Sequence, residues 1–511
     1  MAAVLVVVSV GVGGTTGYAS GGGWLPPAPF DLQGGGGVNI AMVPAGGAIG
    51  VWGQYGEART STYSAADRWS PIAYLADEFF DSEDLAVDAR GNALVTGVLY
   101  TGAPTVVAYQ RAGGSSSWIG PIAISGTDRV LSRSSLAANA RGEAVVAWSS
   151  VDADGQRVAR AALRRADGTW EPPENLGYGD FGNPAASIDE RGDAVVVWTR
   201  GTSNGATVYA ERRAAGAAWE PAVVLSERAV AQDAGVVMNH RGEALAVWAE
   251  QDDARTITTL DSSLLLSGSA DWSAPSKVPV SYVGNVAAEV GSGASFVLDD
   301  AGNATLVAKR KDGGIEALTA TSDSGWGAPL LLGDVGSDDS VLIDCTEPVI
   351  AMDARGGLLV AWGGGALRAA KRPPGAPSWE KPVVVAASPS CFQLALAVSS
   401  PGDSVVIWNA STEAARALYY AILDNTPPVI SEPAIPHVAR AGHRVRLAVA
   451  VSDAWSSLTA PRWRFGDGTR ARGTKVQHVF RRPGRYHVSA TVADRAGNTA
   501  SSASTIRVTK A

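Results

Sequence analysis

The sequence predicts an all-β fold: a ring of strand-rich repeats followed by a separate C-terminal module. Three observations carry this reading: a recurring glycine turn, two tryptophan columns in phase with it, and a loss of the period near residue 424. The turn glycines are Gly46, Gly91, Gly142, Gly192, Gly242, Gly302, Gly356 and Gly402, spaced 45 to 60 residues apart. The clearest copies run Asn139–Trp148, Asp189–Trp198 and Asn239–Trp248. Strands alternating with tight turns at a period of about 50 residues are the signature of a β-propeller. Eight turns predict eight blades; seven, with an irregular Gly-rich first copy, is the alternative.

Residues 184–225 show how one repeat is expected to fold. Ala185–Asp189 reads as a strand, and Glu190–Asp193 as a turn whose glycine supplies the left-handed position of a tight hairpin. Ala194–Trp198 is continuously apolar, as befits a strand covered on both faces. Thr207–Arg212 is a third strand and Trp219–Leu225 a fourth, whose Pro221 suits an edge. One tryptophan column, Trp24 through Trp379, precedes a proline in each copy; the other holds Trp52, Trp148, Trp198, Trp248, Trp362 and Trp408. Together they take 14 of the 16 tryptophans, so most are read as packing residues and not as ligand platforms. The last repeat lacks its outer strand, while a Trp24-Leu25-Pro26 segment stands unpaired before the first turn. Pairing the two closes the ring and removes exposed edges.

The pattern Asp-x-Arg/Asn-Gly followed by an apolar run and Trp resembles the repeats of exported bacterial β-propeller proteins. In repeat length it is similar to kelch-type and sialidase-type blades, without the sialidase Asp-box. The propeller is expected over residues 24–424. Residues 1–23, with the apolar run Val4–Val10, read as a signal-peptide-like segment too short to span a membrane.

Beyond the proline-marked boundary at Asn425–Val429, Trp463-Arg464-Phe465-Gly466-Asp467-Gly468 is followed by Pro483-Gly484-Arg485-Tyr486-His487-Val488 and Asp494. This resembles a PKD (polycystic kidney disease) domain, placed at residues 425–511. The resemblance implies an immunoglobulin-like β-sandwich used as a spacer or adhesion module, with Trp463 and Tyr486 in its core and Asp467 as a turn residue.

The two parts differ in charge. The whole chain carries −8, but residues 426–511 hold 14 Lys and Arg against 4 Asp and Glu, leaving 28 basic and 46 acidic residues before them. Such a split predicts either a basic module facing the acidic body or one free to meet an anionic polymer. Cys345 and Cys391 occupy equivalent positions in successive repeats, which makes them candidate disulfide partners in an exported chain.

No metal-binding, phosphate-binding or nucleophile-elbow motif is present, so no catalytic residue, metal or cofactor is expected. The turn arginines Arg90, Arg141, Arg191, Arg241 and Arg355 are expected to pair with the Asp or Asn two residues earlier. The candidate ligand-binding residues are Asp77, Glu78, Phe80, Tyr178, Asp180 and Phe181, where acid and aromatic side chains share variable loops. The sequence predicts a secreted or cell-surface, monomeric, non-enzymatic binding or adhesion protein. Its partner is a polysaccharide or surface protein, with no nucleic acid and no transmembrane span. The alternative is a glycosidase or lyase using carboxylates on the variable-loop face, because that chemistry needs only two facing carboxylates.

Overall fold

The computed structural model describes residues 23–510, apart from 32–36, 45, 55, 65–67, 77–79, 180–181, 203–204, 230–233, 252–257, 281–293, 311, 322–323, 336–346, 388–390, 400–401 and 412–415. It is all-β, with eight repeat sheets followed by two sheets from the C-terminal module. Each turn glycine adopts the left-handed conformation its hairpin needs, with φ of +82° at Gly142 and +92° at Gly192.

The third repeat is representative: Ser135–Ala138, Ala144–Val151, Arg157–Arg164 and Glu174–Tyr178 pair in antiparallel order. The fourth and fifth sheets are also bridged at Ala229 and Glu250. The outer strand of the fourth repeat is Val223–Ala229, so the expected start at Trp219 is corrected. Trp219 and Pro221 instead form the approach to the strand, where a residue without an N–H costs no ladder bond.

The innermost strands pack in sequence from Val38–Met42 to Cys391–Val398, and the last returns to the first. Side chains stitch neighbouring inner strands together. Leu136 N–H donates to Asp84 Oδ2 at 2.9 Å, Ala186 N–H to Ser135 Oγ at 3.1 Å and Met238 N–H to Ser187 Oγ at 2.9 Å. Between the sheets lie cores of Ala, Val and Trp; one joins Val145 and Ala147 to Val196 and Trp198 of the next repeat. All six tryptophans of the second column are essentially fully buried. Truncating such a side chain costs about 3–5 kcal/mol.

The N-terminal segment completes the last repeat. Ala28–Asp31 pairs antiparallel with Arg416–Leu423, and Trp24 bridges Leu423. Asp31, buried, accepts from Trp52 Nε1 at 3.1 Å and forms an ion pair with Arg59 at 3.0 Å, tying the closing strand to the first repeat.

In the C-terminal module, a three-stranded sheet and a five-stranded sheet face one core built on Trp463, Phe465, Phe480, Val488 and Ile506. Tyr486 packs against its margin. Asp467 is a turn residue, as expected: its carboxylate accepts from Thr469 N–H and meets His478 Nε2 at 2.7 Å. The module sits on the glycine-turn end of the ring. Trp455, nearly fully buried, enters the core of the first and last repeats and stacks on Tyr63 at 6.1 Å. The Tyr63 hydroxyl donates to the Trp455 carbonyl at 2.7 Å. A Cβ on Gly46 would meet Ala454 at 2.7 Å, so this close approach needs a glycine.

Candidate functional site at the domain junction

The two ends of the ring differ. The second strand of each repeat leads away from its glycine turn, so the loops after it lie at the end opposite the docked module. Tyr178 closes the outer strand of the third repeat there and is 48% exposed. Its hydroxyl accepts from Asn175 Nδ2 at 3.1 Å. Tyr74 and Tyr100, which the sequence did not single out, are also exposed toward this end. Phe80 begins the inner strand of the second repeat, opposite Leu99. Asp77, Glu78, Asp180 and Phe181 lie outside the described residues, as does Cys345; Cys391 begins the inner strand of the last repeat.

At the turn end, the expected pairing of arginine with the residue two before it is corrected in kind. Asp88, Asn139, Asp189, Asn239 and Asp353 do bind the residue two later, but through its backbone N–H, at 2.8–3.0 Å. Among the described contacts only Arg355 also turns its guanidinium to its partner, Asp353, at 3.2 Å; Arg141 pairs with Glu143. The side chain serves the turn first because the loop amides have no other acceptor.

A cavity of about 440 Å³ opens between the second and third repeats, lined by Asp88, Arg90, Asn92, Gln110, Arg164 and Asp167 among others. Asp88 accepts three hydrogen bonds from its own turn, and Asp167 accepts from Thr169. Both carboxylates are therefore occupied locally.

A group of unsatisfied carboxylate oxygens lies where the ring meets the C-terminal module. Asp424 ends the ring, Asp453 follows the strand Arg444–Ser452, and Asp494 follows Gly484–Ala493. One carboxylate oxygen of each lies within 4.8 Å of the others. Asp424 is 0% exposed and Asp494 is 4% exposed. Each residue ties one oxygen to its own loop. Asp453 Oδ1 accepts from Trp455 and Ser456 N–H at 2.8 Å. Asp494 Oδ1 accepts from Gly497 and Asn498 N–H at 2.7 and 2.8 Å, and Asp424 Oδ1 from Thr426 N–H at 3.2 Å. The Oδ2 atom of all three is buried without a hydrogen-bond partner.

Burial, followed by the neighbouring charges of Asp453, Asp494 and Asp403, pushes the Asp424 carboxyl up to about 7; burial also raises Asp453. Asp403 adds charge but is spent on positioning: it accepts from Asn425 N–H at 2.8 Å and from the Thr426 hydroxyl. Three hard oxygen donors of this kind can take a proton between them or hold a hard cation. The sequence reading expected no metal and missed this group. Its trace in the sequence is the motif Asp494-Arg-Ala-Gly-Asn498, which matches the turns of the ring.

Residues 425–509 match the family model of the PKD domain. The same region is similar to the PKD1 domain of Vibrio anguillarum Epp, at 27% identity over 17% of this chain and 100% of that one, with a TM-score of 0.15. The chain is also similar to the polysaccharide lyase Uly1, at 8% identity over 80% of this chain and 94% of that one, TM-score 0.43. A further similar structure is the β-propeller domain of the Trilobed protease from Pyrococcus furiosus, at 8% identity over 68% and 97%, TM-score 0.38. No curated protein matches the sequence.

Proposed function

We propose that this is an exported or cell-surface, non-enzymatic binding or adhesion protein. An eight-bladed ring recognises a carbohydrate or protein ligand through its variable-loop end, and the PKD module is the wall contact. The observation that carries the reading is the charge of the module's outer surface. All 14 of its Lys and Arg residues are exposed. Six of these arginines share the outward face of the five-stranded sheet, where Arg462 lies opposite Arg472, Arg464 opposite Arg470 and Arg485 opposite Arg507. Like charges directly opposite one another destabilise a sheet, and an anionic polymer laid across them would relieve that repulsion. The basic module therefore turns its charge to solvent, and it meets the ring through Trp455 and carboxylates instead.

Docking on the turn end leaves the other end, with Tyr74, Tyr100 and Tyr178, clear of the module. Exposed tyrosines offer an apolar face and a polar tip, which suits sugar rings. The glycosidase or lyase alternative needs two available facing carboxylates. The cavity between the second and third repeats lies at the turn end, away from the variable-loop face, and its Asp88 and Asp167 are held by their own loops.

The test is retention of the full chain on glycan and cell-wall arrays. Replacing Arg462, Arg464 and Arg472 by Gln is expected to lower retention on anionic wall polymers and to flatten its salt dependence. Replacing Asp77, Glu78 and Phe80 by Ala is expected to lower retention on the specific ligand. Failure of the wild-type chain to bind any surface, or turnover of a polysaccharide by it, would overturn the reading.

A further inference from the structure

We propose that Asp424, Asp453 and Asp494 form a calcium site that fastens the PKD module to the ring. The three side chains come from three separate segments, one on the ring side of the boundary and two in the module. Each is preorganised by backbone N–H groups of its own loop and presents an unpartnered oxygen to the same point. Asp424 is fully enclosed, so bulk solvent does not reach its carboxylate. A buried acceptor without a donor is costly, and three such carboxylates together add mutual repulsion. Among the described residues, no Lys, Arg or His forms an ion pair with any of the three. A divalent cation satisfies all three oxygens at once.

The donor set selects the kind of ion. The ligand atoms are carboxylate oxygens, with the buried Ser456 hydroxyl beside Asp424 as a further oxygen donor. Oxygen-only sets suit calcium or magnesium and disfavour zinc or copper. Calcium–oxygen bonds of about 2.3–2.6 Å let two ligands on one ion stand roughly 5 Å apart. The 4.8 Å limit on the spread of these oxygens falls inside that span.

The second argument is what holds the donors at the junction. Asn498 Nδ2 donates to the Asp424 carbonyl at 3.0 Å, so the loop bearing Asp494 is bonded across the boundary to the segment bearing Asp424. Asp403 fixes Asn425 and Thr426 from the ring side. Trp455, two residues after Asp453, is seated in the ring core. An ion bound at the three carboxylates would therefore stabilise the docked arrangement and have lower affinity for an undocked one. That difference is the thermodynamic condition for a ligand to shift docking.

The test uses the full chain, stripped with EDTA and titrated with calcium by calorimetry, with parallel melting in EDTA, calcium and magnesium. The expected result is one calcium per chain and a higher melting temperature for the PKD transition in calcium. Asp453→Asn should weaken binding by more than about tenfold. The triple variant Asp424→Asn, Asp453→Asn, Asp494→Asn should neither bind nor respond. If the triple variant fails to fold by circular dichroism, the single variant and the wild-type response decide. No calcium heat and no melting shift in the wild type would overturn the proposal. So would equal binding by Asp453→Asn, which would put the ion elsewhere. A wild type indifferent to calcium beside a triple variant that is more stable than it would show that shared protons, and no ion, occupy the cluster.

Discussion

The same five-residue turn does two different jobs in this molecule. Asp-x-x-Gly-Asn occurs at 88–92 and 299–303 in the ring and at 494–498 in the PKD module. In all three, aspartate Oδ1 accepts the N–H of the closing asparagine, at 2.7–2.8 Å. In the ring, the asparagine amide also satisfies the second oxygen: Asn92 Nδ2 reaches Asp88 Oδ2 at 2.7 Å and Asn303 Nδ2 reaches Asp299 Oδ2 at 2.9 Å. In the module, Asn498 turns its amide away to the Asp424 carbonyl, and Asp494 Oδ2 is left without a partner. One side-chain amide thus separates a closed structural turn from an open donor. Residue type and spacing alone do not distinguish the two roles; the destination of the amide does.

The contrast can be broken first at its apolar supports. Trp148→Ala removes a ring tryptophan and is expected to cost about 3–5 kcal/mol, lowering the main melting transition. Trp455→Ala removes a side chain of the same size from the junction, where Tyr63 stacks on it. It is expected to leave the main transition near its wild-type position and to move the PKD transition further below it. Calorimetric scans distinguish these outcomes, and one merged transition at an unchanged temperature would refute the junction role of Trp455.

A smaller effect sharpens the comparison. Asn303→Ala and Asn498→Ala should each cost about 1 kcal/mol, the usual net worth of a hydrogen bond. Only Asn498→Ala should also weaken the calcium response of the PKD transition. Parallel melts with and without calcium measure both. A calcium effect from Asn303→Ala would erase the distinction.

A pH-dependence in the ring is a further expected effect. Burial and the neighbouring Glu174 push the Glu211 carboxyl up to about 8 from an ordinary value of 4.5. The folded chain therefore holds a proton there that the unfolded chain has already lost. The linked stability is full below the ordinary value and falls as pH rises toward about 8. Glu211→Gln should flatten that decline in chemical-denaturation curves and be the more stable form at pH 9.

Much of the fold was legible because its constraints are local. A glycine at a left-handed turn and a tryptophan in a seam between sheets leave few substitutes, so Gly142 and Trp148 recur in phase. The phase offset also pointed to the pairing of the N-terminal segment with the last repeat. The outer strands were misplaced by a few residues because Trp219 and Pro221 mark the approach to an edge strand, not its start. The turn arginines were misread in kind because loop amides take the nearby side-chain oxygen first, although Arg355 also reaches Asp353 as expected. The junction cluster could not be assembled from the chain alone: Asp424, Asp453 and Asp494 lie in separate segments that only the fold brings together. The exposed Tyr74 and Tyr100 had no periodic signal to mark them.

Terbium luminescence tests the central claim most directly, because terbium substitutes for calcium and is excited through a nearby tryptophan. The EDTA-stripped full chain is expected to give emission saturating at one terbium per chain, displaced by calcium and abolished by Asp494→Asn. Emission that is absent in the wild type, or that persists unchanged in Asp494→Asn, would contradict the account.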